Sequence, residues 1–205
     1  EEMSKSLFLI LIATAAAMMA PQAPAQGDAA AGEAKSALCA TCHGPDGNSE
    51  LAINPKIAGQ NARYLIKQMR DFQSGARPGP IMAAMVINLS EEDIADLAAY
   101  YAAQTPTLLG ADPESVALAE SLYRAGNREL EVAACSACHS PTGDGNIPAG
   151  FPALGGQHPE YTLQQLKDFR SGARANDPAG MMRIVAERLT DPELEALANY
   201  LAGLH

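Results

Sequence analysis

Apolar residues recur along this chain every three to four positions, in blocks separated by short runs of Gly, Pro, Ser and Asp, and no stretch alternates convincingly enough to read as a strand. From Gln60 to Gln73 the pattern is strongest: Tyr64, Leu65, Met69 and Phe72 fall at helical spacing, and Gly75 ends the helix they predict. An Ala-rich segment from Asp28 to about Leu38 reads as a helix that runs into Cys39. A loop at 44–48 follows, and a second loop at Arg77-Pro78-Gly79-Pro80 leads into Ile81-Met82. Ser90-Glu91-Glu92-Asp93 is a capping pattern, and Ile94, Leu97, Ala98 and Tyr101 line the helix it opens, which runs to about Gln104.

After a linker at 105–111 the same plan returns. Asp112 caps a helix with Pro113 in its first position, which runs to about Arg124. Further helices are predicted from Pro159 to Arg170, with Gly172 as the stop, and from Thr190-Asp191-Pro192-Glu193 to near Leu201. The two halves align residue by residue. Cys39 corresponds to Cys135; then Pro55, Gly59, Gln60, Tyr64, Gln68, Phe72 and Arg77 correspond to Pro152, Gly156, Gln157, Tyr161, Gln165, Phe169 and Arg174; then Leu89, Leu97 and Tyr100 to Leu189, Leu197 and Tyr200. The chain is an internal duplication, with an expected division into residues 26–108 and 109–205.

Composition changes this picture little. Apolar residues make up 47% and charged residues 19% of 205, without tryptophan and with 5% aromatics, so the cores must be built from aliphatic side chains. The net charge of −10 excludes nucleic acid as a natural partner and favours basic protein surfaces. Residues 1–25 have the layout of a secretory signal: Lys5, an apolar run from Leu7 to Ala20, and Ala23-Pro24-Ala25 as a cleavage site. Export to the periplasm is expected, with membrane contact only through partners or through this segment if it is retained.

The chemistry concentrates in one repeated stretch. Cys39-Ala40-Thr41-Cys42-His43 and Cys135-Ser136-Ala137-Cys138-His139 both read C-x-x-C-H and together use all four cysteines. Two thiols one turn apart each add to a vinyl group of one porphyrin, and the following histidine supplies an axial nitrogen. A shared four-thiolate zinc or iron–sulfur site, or a pair of redox disulfides, is the alternative. Neither accounts for the histidine after both pairs. Two covalently attached c-type haems are therefore expected.

The duplication narrows the second axial ligand. The first half has no histidine besides His43. Among its methionines, Met69 corresponds to Leu166 and Met85 to Val185, whereas Met82 corresponds to Met182. Most methionines are core filler; the recurrence of this pair, in a loop after each haem motif, marks Met82 and Met182 as thioether ligands opposite His43 and His139. With both axial positions filled, electron transfer is favoured over catalysis. Pro55 and Pro152 are placed to offer a backbone carbonyl to each histidine's other nitrogen. Tyr64, Tyr161, Arg77 and Arg174 recur as contacts to a haem edge, to the domain interface or to plain packing. His158 reads as a cap or surface residue and His205 as solvated.

Tandem C-x-x-C-H domains with Met82 and Met182, an exported acidic chain, Gly150-Phe151-Pro152-Ala153-Leu154-Gly155-Gly156-Gln157-His158 and the terminal Leu201-Ala202-Gly203-Leu204-His205 resemble the dihaem cytochrome c4 family. The resemblance implies an all-α pair of tandem class I cytochrome c domains with pseudo-twofold symmetry. It also implies a periplasmic electron carrier rather than an enzyme, with an upstream cytochrome or bc1-type complex as donor and a terminal oxidase as acceptor. A dihaem peroxidase or the electron-entry subunit of a dehydrogenase is the alternative; the repeated methionine and the lack of an extra catalytic domain argue against it.

Overall fold

Asp28 starts the first helix by accepting hydrogen bonds from the N–H groups of Ala30 and Ala31. The computed structural model describes residues 27–205, so the signal expected over 1–25 lies outside the described residues. Helices α1 (Ala29–Lys35) and α2 (Ala37–His43) replace the single helix expected here. They part at Ser36, whose hydroxyl donates to Glu33 O at 2.8 Å and so competes with the helical ladder. Helix α3 (Ala62–Ser74) begins at the Asn61 side chain, which accepts from Arg63 N, and stops at Gly75, whose φ of 77° is left-handed. Helix α4 (Pro80–Val86) precedes α5 (Glu91–Ala102), and α5 opens on a complete capping box between Ser90 and Asp93.

The second half contributes α6 (Pro113–Ala125), α7 (Ser136–His139), α8 (Pro159–Ser171), a 3-10 turn at Pro178–Gly180, α9 (Met181–Ala186) and α10 (Asp191–Ala202). Among the described residues no strand forms. There are only isolated bridges, at Asn127 with Val132 and at Asn146 with Phe151. The all-α expectation holds. The loop expected around Met82 does not: Pro80 occupies the first helical position with its φ already set, and Ala83 N bonds Gly79 O at 2.8 Å, so Met82 lies inside α4 and Met182 inside α9.

The close helix packings fall within the halves. Helix α1 crosses α5, and α3 packs on α4 and α5; α6 crosses α10, and α8 packs on α9 and α10. The α1–α5 crossing needs Gly32, where a Cβ would come within 2.1 Å of Asp96 O. The first core gathers Leu65, Leu97, Ala98 and Tyr101; the second gathers Leu122, Tyr123, Leu194, Leu197, Tyr200 and Leu201 among others.

The halves meet along a polar seam of reciprocal bonds. Gln60 Nε2 donates to Ala153 O at 2.9 Å and its Oε1 accepts from Ala153 N at 2.8 Å. Gln157 grips Lys56, the residue equivalent to Ala153, in the same way, at 2.8 and 2.9 Å. Arg77 donates to Tyr161 Oη and Gln165 Oε1, both at 2.8 Å; Arg174 donates to Tyr64 Oη and Gln68 Oε1, both at 3.0 Å. Both guanidinium groups are buried, and they lie 4.6 and 4.5 Å over the rings of Phe72 and Phe169. The recurring Tyr and Arg residues therefore serve the domain interface. His158 holds the N-cap position of α8, as expected, without a side-chain cap bond, but it is not a surface residue: it is buried, and its Nε2–H donates to Ser49 O across the seam at 2.8 Å.

Candidate functional site

Helical spacing brings Cys39, Cys42 and His43 onto adjoining positions of α2. Cys39 is half-buried against the first core, Cys42 is exposed and His43 is buried. In the second half Cys135 immediately precedes α7, Cys138 is exposed and His139 is buried. Both helices end in a residue with positive φ, Gly44 at 80° and Ser140 at 67°. The second is held by Tyr123 Oη, which donates to Ser140 O at 2.6 Å.

The two histidines have matching partners. His43 Nδ1 lies 2.8 Å from Pro55 O, and His139 Nδ1 lies 3.0 Å from Pro152 O. A carbonyl only accepts, so Nδ1 carries the proton and the lone pair of each neutral ring sits on Nε2. Burial pushes both imidazoles below the ordinary value for histidine, with the proline carbonyl working against it, so both rings are neutral at pH 7. Each is thus a buried nitrogen donor of fixed tautomer and orientation.

The thiols point the same way. All four are free. Burial pushes the Cys39 thiol up and the Cys135 thiol to about 11. A redox-active C-x-x-C pair needs a depressed thiol, which is the opposite trend. Among the described residues no three His, Cys, Asp or Glu side chains gather into a metal-holding group, so the two cysteine pairs do not form one shared site. Met82, the third residue of α4, and Met182, the second residue of α9, are half-buried, and each follows an exposed residue, Ile81 and Met181. Leu38 on α2 and Met85 on α4 also present apolar surface. In each half a pair of free thiols and a buried imidazole of fixed orientation sit together on or beside one short helix, a donor set that fits covalently attached haem c; Met82 and Met182 lie on separate helices, α4 and α9.

The family model described as "Cytochrome c" matches residues 29–103 and again 123–205. Cytochrome c4 of Azotobacter vinelandii is 46% identical over 99% of this chain and 100% of that protein. The chain belongs to the cytochrome c4 family. Reduced recombinant cytochrome c4 from Pseudomonas stutzeri shares the fold with a TM-score of 0.84 and 46% identity, over 87% of this chain and 100% of that one. A thiosulfate dehydrogenase electron acceptor of Stutzerimonas stutzeri is 38% identical over 81% of this chain and 78% of that protein. As a member of the cytochrome c4 family the chain is an electron carrier of two tandem cytochrome c domains with covalently bound haem c.

The domain interface is among the roles expected of the recurring Tyr and Arg residues, but the glutamines of the seam are not anticipated from the sequence. Their signal is present in the recurrence of Gln60 and Gln68 as Gln157 and Gln165, two uncharged polar residues repeated where neither capping nor a C-x-x-C-H motif asks for them.

Proposed function

We propose that this chain carries electrons in the periplasm between respiratory redox partners. Cys39, Cys42, His43 and Met82 would hold one haem c, and Cys135, Cys138, His139 and Met182 would hold the other. The observation that carries the reading is the pair of identically oriented histidines, each beside its own cysteine pair and each with Nδ1–H engaged by a proline carbonyl. When bound, each haem supplies a one-electron Fe(III)/Fe(II) couple. A thioether favours the reduced iron and fills the coordination position that a peroxidase would leave open.

The division into 26–108 and 109–205 is supported by the linker's anchors. Thr107 bonds Asn48 and Lys56 of the first half, whereas Leu109 N bonds Ala202 O of the second at 3.2 Å. The acidic surface suits basic docking faces, with a terminal cytochrome c oxidase as acceptor and an upstream cytochrome or bc1-type complex as donor. The relationship to a thiosulfate dehydrogenase electron acceptor favours a second reading of the donor, a sulfur-compound dehydrogenase.

Absorption spectra of the oxidised and reduced protein, with and without carbon monoxide, test the assignment. Two low-spin c-haems per chain, a weak far-red Met–Fe(III) band and no rapid carbon monoxide uptake are expected. A single haem, a high-spin species or fast uptake overturns it. Reduction of the oxidised protein by a thiosulfate dehydrogenase, set against reduction by a bc1-type complex, separates the two donors.

A further inference from the structure

Pro55 and Lys56 share one peptide group, as do Pro152 and Ala153. In each, the carbonyl end accepts from a site histidine while the N–H end donates to a glutamine of the opposite half. In the first half His43 Nδ1 meets Pro55 O at 2.8 Å, and Lys56 N donates to Gln157 Oε1 at 2.9 Å. In the second, His139 Nδ1 meets Pro152 O at 3.0 Å, and Ala153 N donates to Gln60 Oε1 at 2.8 Å. The glutamine amides have only one workable orientation. Each Oε1 also accepts a second N–H, from Asn61 at 2.8 Å or His158 at 3.1 Å, while each Nε2 faces a carbonyl.

We propose that Gln60 and Gln157 are positioning residues that act crosswise on the haem potentials: Gln157 acts through the Pro55–Lys56 peptide on His43, and Gln60 acts through the Pro152–Ala153 peptide on His139. The proposal rests on His43 and His139 being the axial ligands. A peptide that donates through its N–H is polarised, and its carbonyl becomes a stronger acceptor. A stronger acceptor at Nδ1–H gives the imidazole more imidazolate character and greater basicity at Nε2. That favours the ferric state and lowers the potential. Each half therefore completes the electronic environment of the other's haem, and the seam is part of the redox apparatus as well as a structural joint. Separate charges are not needed for this effect, because every member of the two relays other than Lys56 is a neutral group, and Lys56 takes part only through its backbone.

The test uses the full dihaem chain with Gln157→Met and Gln60→Met, which keep side-chain length and remove both amide bonds. Potentials of the two haems are read separately by redox titration followed through their NMR-resolved methyl resonances. Gln157→Met raises the potential of the haem on His43, by about a threefold increase in its ferrous-to-ferric ratio at fixed applied potential. It leaves the haem on His139 in place and moves the His43 Nδ1–H resonance of the reduced protein upfield. Gln60→Met gives the mirror result and decides the matter independently. Equal shifts of both haems, a shift confined to the variant's own half, or no shift overturns the proposal. If the unaltered protein lacks two low-spin c-haems, the axial-ligand reading itself fails; if it has them and the crossed pattern is absent, only the present proposal fails.

Discussion

Helices α1 and α5 of the first half and α6 and α10 of the second make equivalent crossings from different materials. In the first, α1 lies close against α5 at Gly32 and is pinned by charge: Lys35 bonds Asp93 and Asp96, each at 2.7 Å, and Asp96 also accepts from Asp28 N. Its buried core cluster is small. In the second, α6 presents Ala119, Leu122 and Tyr123 to a larger core on α10, and Tyr123 packs 5.6 Å from Tyr200. What the halves share is the C-x-x-C-H helix, the histidine-to-proline-carbonyl bond, a methionine in a short helix and the reciprocal seam. Duplication has let the cores diverge while the histidine-to-proline bonds and the seam kept one geometry.

That contrast can be broken most forcefully inside the cores. Ile94 and Leu194 are equivalent and fully buried. Replacing either with Ala is expected to cost about 2–5 kcal/mol in denaturant unfolding, with the larger loss at Leu194, whose more extensive surroundings have less freedom to collapse. Comparable or reversed losses would show that the larger cluster does not make the second half the more rigid one. A smaller effect is expected at the seam. Arg77→Met leaves Tyr161 Oη and Gln165 Oε1 without that donor, for a loss of about 1–3 kcal/mol. Arg174→Met should cost a similar amount, and the double variant less than the sum, because both belong to one network. Strict additivity in that cycle would mean that the two arginines act separately.

Acid provides the gentlest probe. Hydrogen bonds from Lys35 hold the Asp93 and Asp96 carboxyls below their ordinary value of 3.8. The stability they add is present above pH 3.8 and is lost as pH falls through their depressed values. The second half has no such pin at its α6–α10 crossing, so acid should loosen α1 first, seen as earlier hydrogen exchange of its amides. Lys35→Met should remove that difference; if α1 and α6 loosen together in both proteins, the ion pairs do not distinguish the halves.

The local parts of the site were readable because their chemistry is sequential. C-x-x-C-H carries its own geometry, and aligning the halves picked out the two prolines whose carbonyls meet the histidines. Helices with strong caps, such as the one opening at Ser90, were equally plain. The errors came where distant or competing bonds decide. Ser36 splits a helix through a bond to Glu33, Pro80 starts a helix where a Pro/Gly run suggested a loop, and His158 is buried by a partner at Ser49, in the other half. Gln60 and Gln157 were visible as repeats, but their partners are backbone atoms of the opposite half, which no local pattern specifies.

The seam's reciprocity has a consequence for how such a molecule assembles. Tyr64, Gln68 and Arg77 on one side meet Tyr161, Gln165 and Arg174 on the other, and each glutamine clamp meets the backbone position equivalent to its partner's. That is the logic of an isologous dimer, in which one self-complementary surface binds its own copy. The linker at 105–111 turns that pairing into an intramolecular event. The encounter of the two units is then set by a tether's effective concentration rather than by how much protein is present.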